Sequence, residues 1–171
     1  MGPNWSPNGR YLAFLSSGNQ DAWSSQFYLQ VWDNISKNIT TITSPEGGNI
    51  AGLIWKKDSS GIYFSKAESV NKEIWFSDLS GKQSRISPSD VMIDYFDLNP
   101  LNQNQSAYSL ENMNQPEEFF LNQKQITRFN QFHQQKLLGE SQVVHWNSSD
   151  GKLLDGVLTF PPNYQPGKPL P

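Results

Sequence analysis

Trp5-Ser6-Pro7-Asn8-Gly9-Arg10-Tyr11-Leu12-Ala13-Phe14 returns in altered form as Trp55-Lys56-Lys57-Asp58-Ser59-Ser60-Gly61-Ile62-Tyr63-Phe64. Each copy opens on a large aromatic residue, crosses a short polar turn and enters a run of residues that favour strand. Asn8-Gly9 suits a tight hairpin because both residues tolerate positive φ, and Gly61 and Gly81 can serve the same end. A degenerate third copy runs from Asp97-Leu98-Asn99-Pro100 through Ala107-Tyr108-Ser109, without Trp or Gly.

Two further strand types keep step with the first. Phe27 to Asp33, Ile74 to Asp78 and Phe119 to Asn122 are apolar runs whose closing residues lie 45 and 44 positions apart. Ile39 to Thr43, Ser84 to Ser87 and Gln125 to Arg128 carry an Ile at 42, 86 and 126, at intervals of 44 and 40. Pro7, Pro45, Pro88 and Pro100 fall at the joins, where a missing amide costs no ladder hydrogen bond. Strands this short bury no two-sided core alone, so successive four-stranded units must stack. A period in the low to mid forties is the size of a propeller blade. The expected fold is all-β as covered: a partial β-propeller of about three four-stranded blades within residues 1–130. An arc of that size leaves two apolar flanks open, which implies upstream blades.

The repeat stops near residue 130. Residues 131–138 form a connecting segment, in which Gln131 to Leu138 allows one or two turns of helix at most. Gln142 to Trp146, the turn Asn147-Ser148-Ser149-Asp150-Gly151 and Leu153 to Phe160 then spell an antiparallel hairpin in residues 139–171. Pro161 to Gly167 reads as an irregular surface connection. Both ends read as internal to a larger protein. Asn4 to Phe14 is already mid-pattern, and no packed element follows Gly167-Lys168-Pro169-Leu170-Pro171.

Composition narrows the function classes. Thirteen Lys and Arg against 16 Asp and Glu give a net charge of -3, which disfavours a general phosphate-binding surface and so a nucleic-acid partner. No run approaches the length needed to span a bilayer, and no membrane association is expected. The absence of Cys removes disulfides, thiolate catalysis and Cys-ligated zinc. Asn and Gln make up 30 of 171 residues, concentrated between 99 and 135, where their side chains suit loops.

Trp5-Ser6-Pro7-Asn8-Gly9-Arg10-Tyr11-Leu12-Ala13-Phe14 resembles the blade signature of the propeller in the prolyl oligopeptidase family of serine peptidases, and that of TolB-like propellers. Gly139-Glu140-Ser141 to Val144, Ser149-Asp150-Gly151 to Gly156-Val157-Leu158-Thr159, and Pro161-Pro162-Asn163-Tyr164 look like that family's junction between the propeller and the first strands of its α/β-hydrolase domain. Ile126 to Asn130 resembles the last propeller strand and its exit. The likeness points to the acylaminoacyl-peptidase and dipeptidyl-peptidase branch. It implies a full-length parent that hydrolyses peptide bonds of short peptides with a Ser, Asp, His triad placed after the propeller. The propeller would gate access, with missing upstream blades and a downstream catalytic domain as its partners. Cytoplasm and periplasm are both open to it. The alternative is a non-enzymatic TolB-like propeller that mediates protein–protein interaction.

No Gly-x-Ser-x-Gly elbow occurs in these residues, so no catalytic residue is assigned. Gly139-Glu140-Ser141-Gln142-Val143 lacks the second Gly, and Ser141 receives no role. His133 reads as an exposed or locally bonded residue and His145 as a surface-facing or interdomain one, and their separation offers no metal site. Glu117-Glu118 reads as the opening of an outer strand rather than an amine-binding pair. The Trp residues read as blade packing, and Asp150-Gly151 as a hairpin turn. No cofactor is expected. Open strand edges on the flanks and the hairpin invite self-association.

Overall fold

The computed structural model describes residues 2–17, 27–43 and 48–167. Trp23, Pro45 and residues 168–171 lie outside the described residues. The first unit contains β1 (Asn4–Trp5), β2 (Tyr11–Ser16), β3 (Tyr28–Asp33) and β4 (Ile39–Thr43). The second contains β5 (Asn49–Trp55), β6 (Gly61–Glu68), β7 (Asn71–Asp78) and β8 (Gln83–Arg85). The third contains β9 (Phe96–Leu98), β10 (Ser106–Asn112), β11 (Gln115–Leu121) and β12 (Lys124–Gln125). In each unit the strands pair antiparallel in chain order, so each is a four-stranded meander. Three such sheets packed face to face make a partial β-propeller, followed by the two-stranded hairpin β13 (Ser141–Asn147) and β14 (Leu153–Thr159).

Side-chain alternation places the core between the sheets. Along β2 and β3, Ala13, Leu29 and Val31 point toward the second sheet and meet Ile50, Leu53, Trp55, Ile62 and Phe64. On the opposite side of the second sheet, Ile74 packs with Val91, Ile93, Tyr108 and Leu110. The central sheet is therefore covered on both faces, and Gly61, Ile62, Phe64 and Ser65 are all buried. Among the described residues, the outer sheets have a buried core cluster on one face only. Trp5, Leu12, Trp32 and Ile39 are register partners across all four strands of the first sheet. Trp5 and Ile39 are exposed, as are Phe119, Leu121 and Ile126 at the other end of the arc.

Hydrogen bonds also tie neighbouring sheets. Trp55 Nε1 donates to the Asn4 carbonyl at 2.8 Å, and Asn4 Nδ2 donates to the Leu53 carbonyl at 3.1 Å. Gln103 Nε2 donates to the Trp55 carbonyl at 2.9 Å, and its Oε1 accepts the Lys57 amide at 2.7 Å. Residues 91–93 thread between the second and third sheets: Ile93 N donates to Lys72 O and Met92 N donates to Glu111 O, both at 2.8 Å.

Several boundaries differ from the sequence reading. Gly9 turns with φ of 69°, as expected, but in the second copy Ser59 takes the left-handed conformation at φ 62°. Its buried hydroxyl accepts the Asn8 amide of the neighbouring turn at 3.2 Å, a bond glycine would lose. Gly61 instead begins β6, where a Cβ would lie 2.4 Å from both the Phe76 ring and the Ser77 carbonyl. The fourth strands of the second and third sheets stop before Ile86 and Ile126. The 131–138 segment holds one short 3-10 helix, Gln131–Gln135.

Candidate functional site

One bond recurs in all three sheets: an amide on the third strand donates to a hydroxyl on, or just past, the fourth. Leu29 N donates to Thr43 Oγ1 at 3.3 Å, Ile74 N to Ser87 Oγ at 3.1 Å, and Phe119 N to Thr127 Oγ1 at 2.8 Å. The donors are spaced by 45 and 45 residues and the acceptors by 44 and 40. Each hydroxyl directly follows one of the three repeating Ile residues. The signal for this bond in the sequence is the hydroxyl residue after each Ile, in Ile42-Thr43, Ile86-Ser87 and Ile126-Thr127.

In the third sheet this bond belongs to a larger clamp. Glu117 and Glu118 are the third and fourth residues of β11, which lies between β10 and β12 and so is an inner rather than an outer strand, and Glu118 is buried. Its carboxylate accepts the Thr127 hydroxyl at 2.5 Å, the Phe129 amide at 3.1 Å and the Asn130 amide at 2.8 Å. Those donors, the Thr127 hydroxyl foremost, hold its carboxyl below the usual glutamate range against the opposing effect of desolvation. Asn130 Nδ2 also donates to the Glu117 carbonyl at 2.8 Å. The clamp therefore fixes the chain where it leaves the third sheet. In the second sheet Glu73 is also buried, and its Oε1 accepts the Asp90 amide at 3.1 Å.

The hairpin contributes a second cluster. Ser141 Oγ lies 2.8 Å from Thr159 Oγ1, and His145 Nδ1 lies 2.6 Å from Asp155 Oδ1. Ser69, in the turn between β6 and β7, bonds the Asp155 carboxylate through its side chain and, with His145, lowers its pKa. This is not a nucleophilic relay, because Ser69 bonds the carboxylate rather than the imidazole. Ser141 is four residues from His145 on the same strand, about 13 Å away at the usual rise. The Ser141 amide donates to Asn114 Oδ1 at 3.2 Å, so the hairpin is tied to turns of both the second and third sheets.

The His133 side chain lies outside the described residues. Trp55 is buried and stacks with Tyr11 at 6.2 Å, Trp75 packs against the same core, and Trp5 meets Trp32 edge-on at 6.1 Å. Trp146 is exposed on the hairpin. Asp150 bonds Ser148 and pairs with Lys152 at 3.0 Å, while Gly151 turns at φ 81°. Among the described residues no three His, Asp or Glu side chains converge as a metal site. No helix among them is long and apolar enough to cross a membrane.

A cavity of about 580 Å³ opens beside the clamp, between the β10–β11 turn, β12 and the chain leaving the sheet. Asn114, Gln115, Gln125, Asn130 and Gln131 line it together with Arg128, and Glu118 forms part of its wall. Five carboxamides and one guanidinium make it a polar recess, suited to hydrogen bonding rather than to apolar burial.

No family model matches the chain, and no curated protein matches it. Solved structures do. The AtxE2 isopeptidase with Astexin3-dC4 bound superposes with a TM-score of 0.75 at 16% identity, over 95% of this chain and 26% of that one. The acylaminoacyl peptidase of Pyrococcus horikoshii gives 0.66 at 19% identity, over 87% and 23%. A TolB-type protein of Agrobacterium tumefaciens gives 0.52 at 17% identity, over 93% and 50%. The chain thus spans about a quarter of the two peptidases it resembles. At these identities the likeness establishes the propeller fold.

Proposed function

We propose that this chain is the closing arc of a gating propeller and the first hairpin of an α/β-hydrolase domain, within a serine peptidase of the prolyl oligopeptidase type. Residues 1–130 would form the arc, 131–138 the connection and 139–171 the start of the catalytic domain. The observation that carries the reading is the hairpin, which breaks a strict repeat of four-stranded meanders and docks on turns of two of them. The fit supports it. A match over 95% of the chain leaves about nine residues out, too few to omit the hairpin, and its TM-score of 0.75 exceeds the 0.52 of the TolB-type protein over a similar share.

On this reading the chain supplies access control and no nucleophile, and the parent acts on short peptides, in the acylaminoacyl-peptidase and dipeptidyl-peptidase branch. The alternative is a TolB-like binding propeller. The test is the gene beyond codon 171 and the protein it encodes. A following Gly-x-Ser-x-Gly elbow, and serine-dependent labelling of the full protein by a fluorophosphonate, are expected. A further four-stranded blade in place of the elbow, or a full-length protein that resists labelling and peptide turnover, overturns the proposal.

A further inference from the structure

The carboxamide-lined recess is not used by the reading above, and every group in it belongs to this chain. Three of its amides are each held at one end by an internal bond. Gln125 Nε2 donates to the Thr127 carbonyl at 2.7 Å, Asn130 Nδ2 donates to the Glu117 carbonyl, and Asn114 Oδ1 accepts the Ser141 amide. Such bonds orient the group and leave its other end, Gln125 Oε1, Asn130 Oδ1 and Asn114 Nδ2, without a partner among the described residues. Two acceptors and a donor thus belong to residues that line one cavity. A peptide main chain offers the matching set, since each unit carries one donor and one acceptor.

The charge at the site is equally specific. Arg128 lines the cavity and makes no ion pair with a carboxylate among the described residues. Glu118 lies nearby, but three donors from the chain already occupy its oxygens. The guanidinium is therefore left to an external anion, and its planar fork fits a carboxylate in a bidentate arrangement. We propose that this recess binds a short extended peptide through its main chain, with Arg128 holding a carboxylate that the peptide carries. The carboxylate is either the free C-terminus or an acidic side chain. The inference holds for a peptidase propeller and for a binding propeller alike.

The test titrates the full chain, by calorimetry and by NMR of its carboxamide side chains, with four probes: acetate, acetyl-tetraalanine, acetyl-tetraalanine amide, and the amide with its third residue changed to Glu. The acid form is expected to bind at least about tenfold more tightly than the neutral amide, with shifts at Asn114, Gln125 and Asn130. The Glu-containing amide tells a side-chain carboxylate from a terminal one. Arg128→Gln should abolish the preference for acid over amide at an unchanged unfolding temperature, and Arg128→Lys should keep part of it. Gln115→Ala, which leaves the charge in place, should weaken both peptides alike. Equal affinity for acid and amide, acetate binding as tightly as the peptide, no binding at millimolar peptide, or a preference that survives Arg128→Gln would each overturn the inference. None of these readouts depends on turnover, so the peptidase reading stands or falls separately.

Discussion

The buried carboxylate of Glu118 accepts the Thr127 hydroxyl, which in turn accepts the Phe119 amide at 2.8 Å. A single hydroxyl thus links the strand interior, a buried charge and the chain that exits the third sheet. Thr127→Val keeps the shape and removes both bonds. Amide exchange at Phe119, Phe129 and Asn130 should then accelerate on the order of tenfold, while exchange in β6 is unchanged. Uniform acceleration throughout the chain would show that the clamp is part of the global fold rather than a local latch.

Glu118 also sets a pH dependence. Its folded-state pKa is lowered, so the unfolded chain takes up the proton first as the solution is acidified. The stabilisation is complete above the unfolded glutamate value and is lost as pH falls through the lower folded one, from about pH 5 downward. Acid should therefore release Phe129 and Asn130 before the sheets melt. Glu118→Gln should remove that part of the acid response and leave the part due to other lowered carboxylates, such as Asp33 and Asp78. Exchange measured across pH 3 to 7 in both proteins, roughly the carboxylate titration range, checks this.

Apolar residues should divide sharply by the face they occupy. Phe64 is fully buried between the first two sheets, and Phe64→Ala should cost about 3–5 kcal/mol in urea unfolding. Ile39, 59% exposed on the outer face of the first sheet, should change stability by less than about 0.5 kcal/mol when replaced by Ser. A large loss at Ile39 in a dilute monomer would mean that something within the chain covers that face.

Ser109 is the one buried side-chain polar group without a hydrogen-bond partner among the described residues. A stranded hydroxyl of this kind is destabilising, so Ser109→Ala should be neutral or should stabilise the fold by up to about 1 kcal/mol. A clear loss in thermal unfolding would reveal a partner for the hydroxyl.

The uncovered ends of the arc should make the isolated chain associate. Trp5, Trp32 and Ile39 at one end and Phe119, Leu121 and Ile126 at the other offer apolar surface along open sheet faces. Light scattering should show mass rising with concentration, and Ile39→Lys with Leu121→Lys should return it toward the monomer. A monomer across the full concentration range would contradict this.

The blades were legible in the chain because their cause is local. Tight turns such as Asn8-Gly9, alternating side chains and aromatic strands recur at a set period, and the hairpin from Ser141 to Thr159 follows from the same alternation. The clamp was not legible. Glu118 in an alternating strand reads as a solvent-facing charge, and its burial depends on three donors that reach it only after the chain turns back from β12. The carboxamide recess has the same origin. Asn114 and Gln131 stand 17 positions apart in the chain and read as loop residues, and only the pairing of β11 with its neighbours sets them around one cavity. Short-range preferences determine where strands begin and turn. Long-range closure decides which polar groups lose their water, and so which can bind.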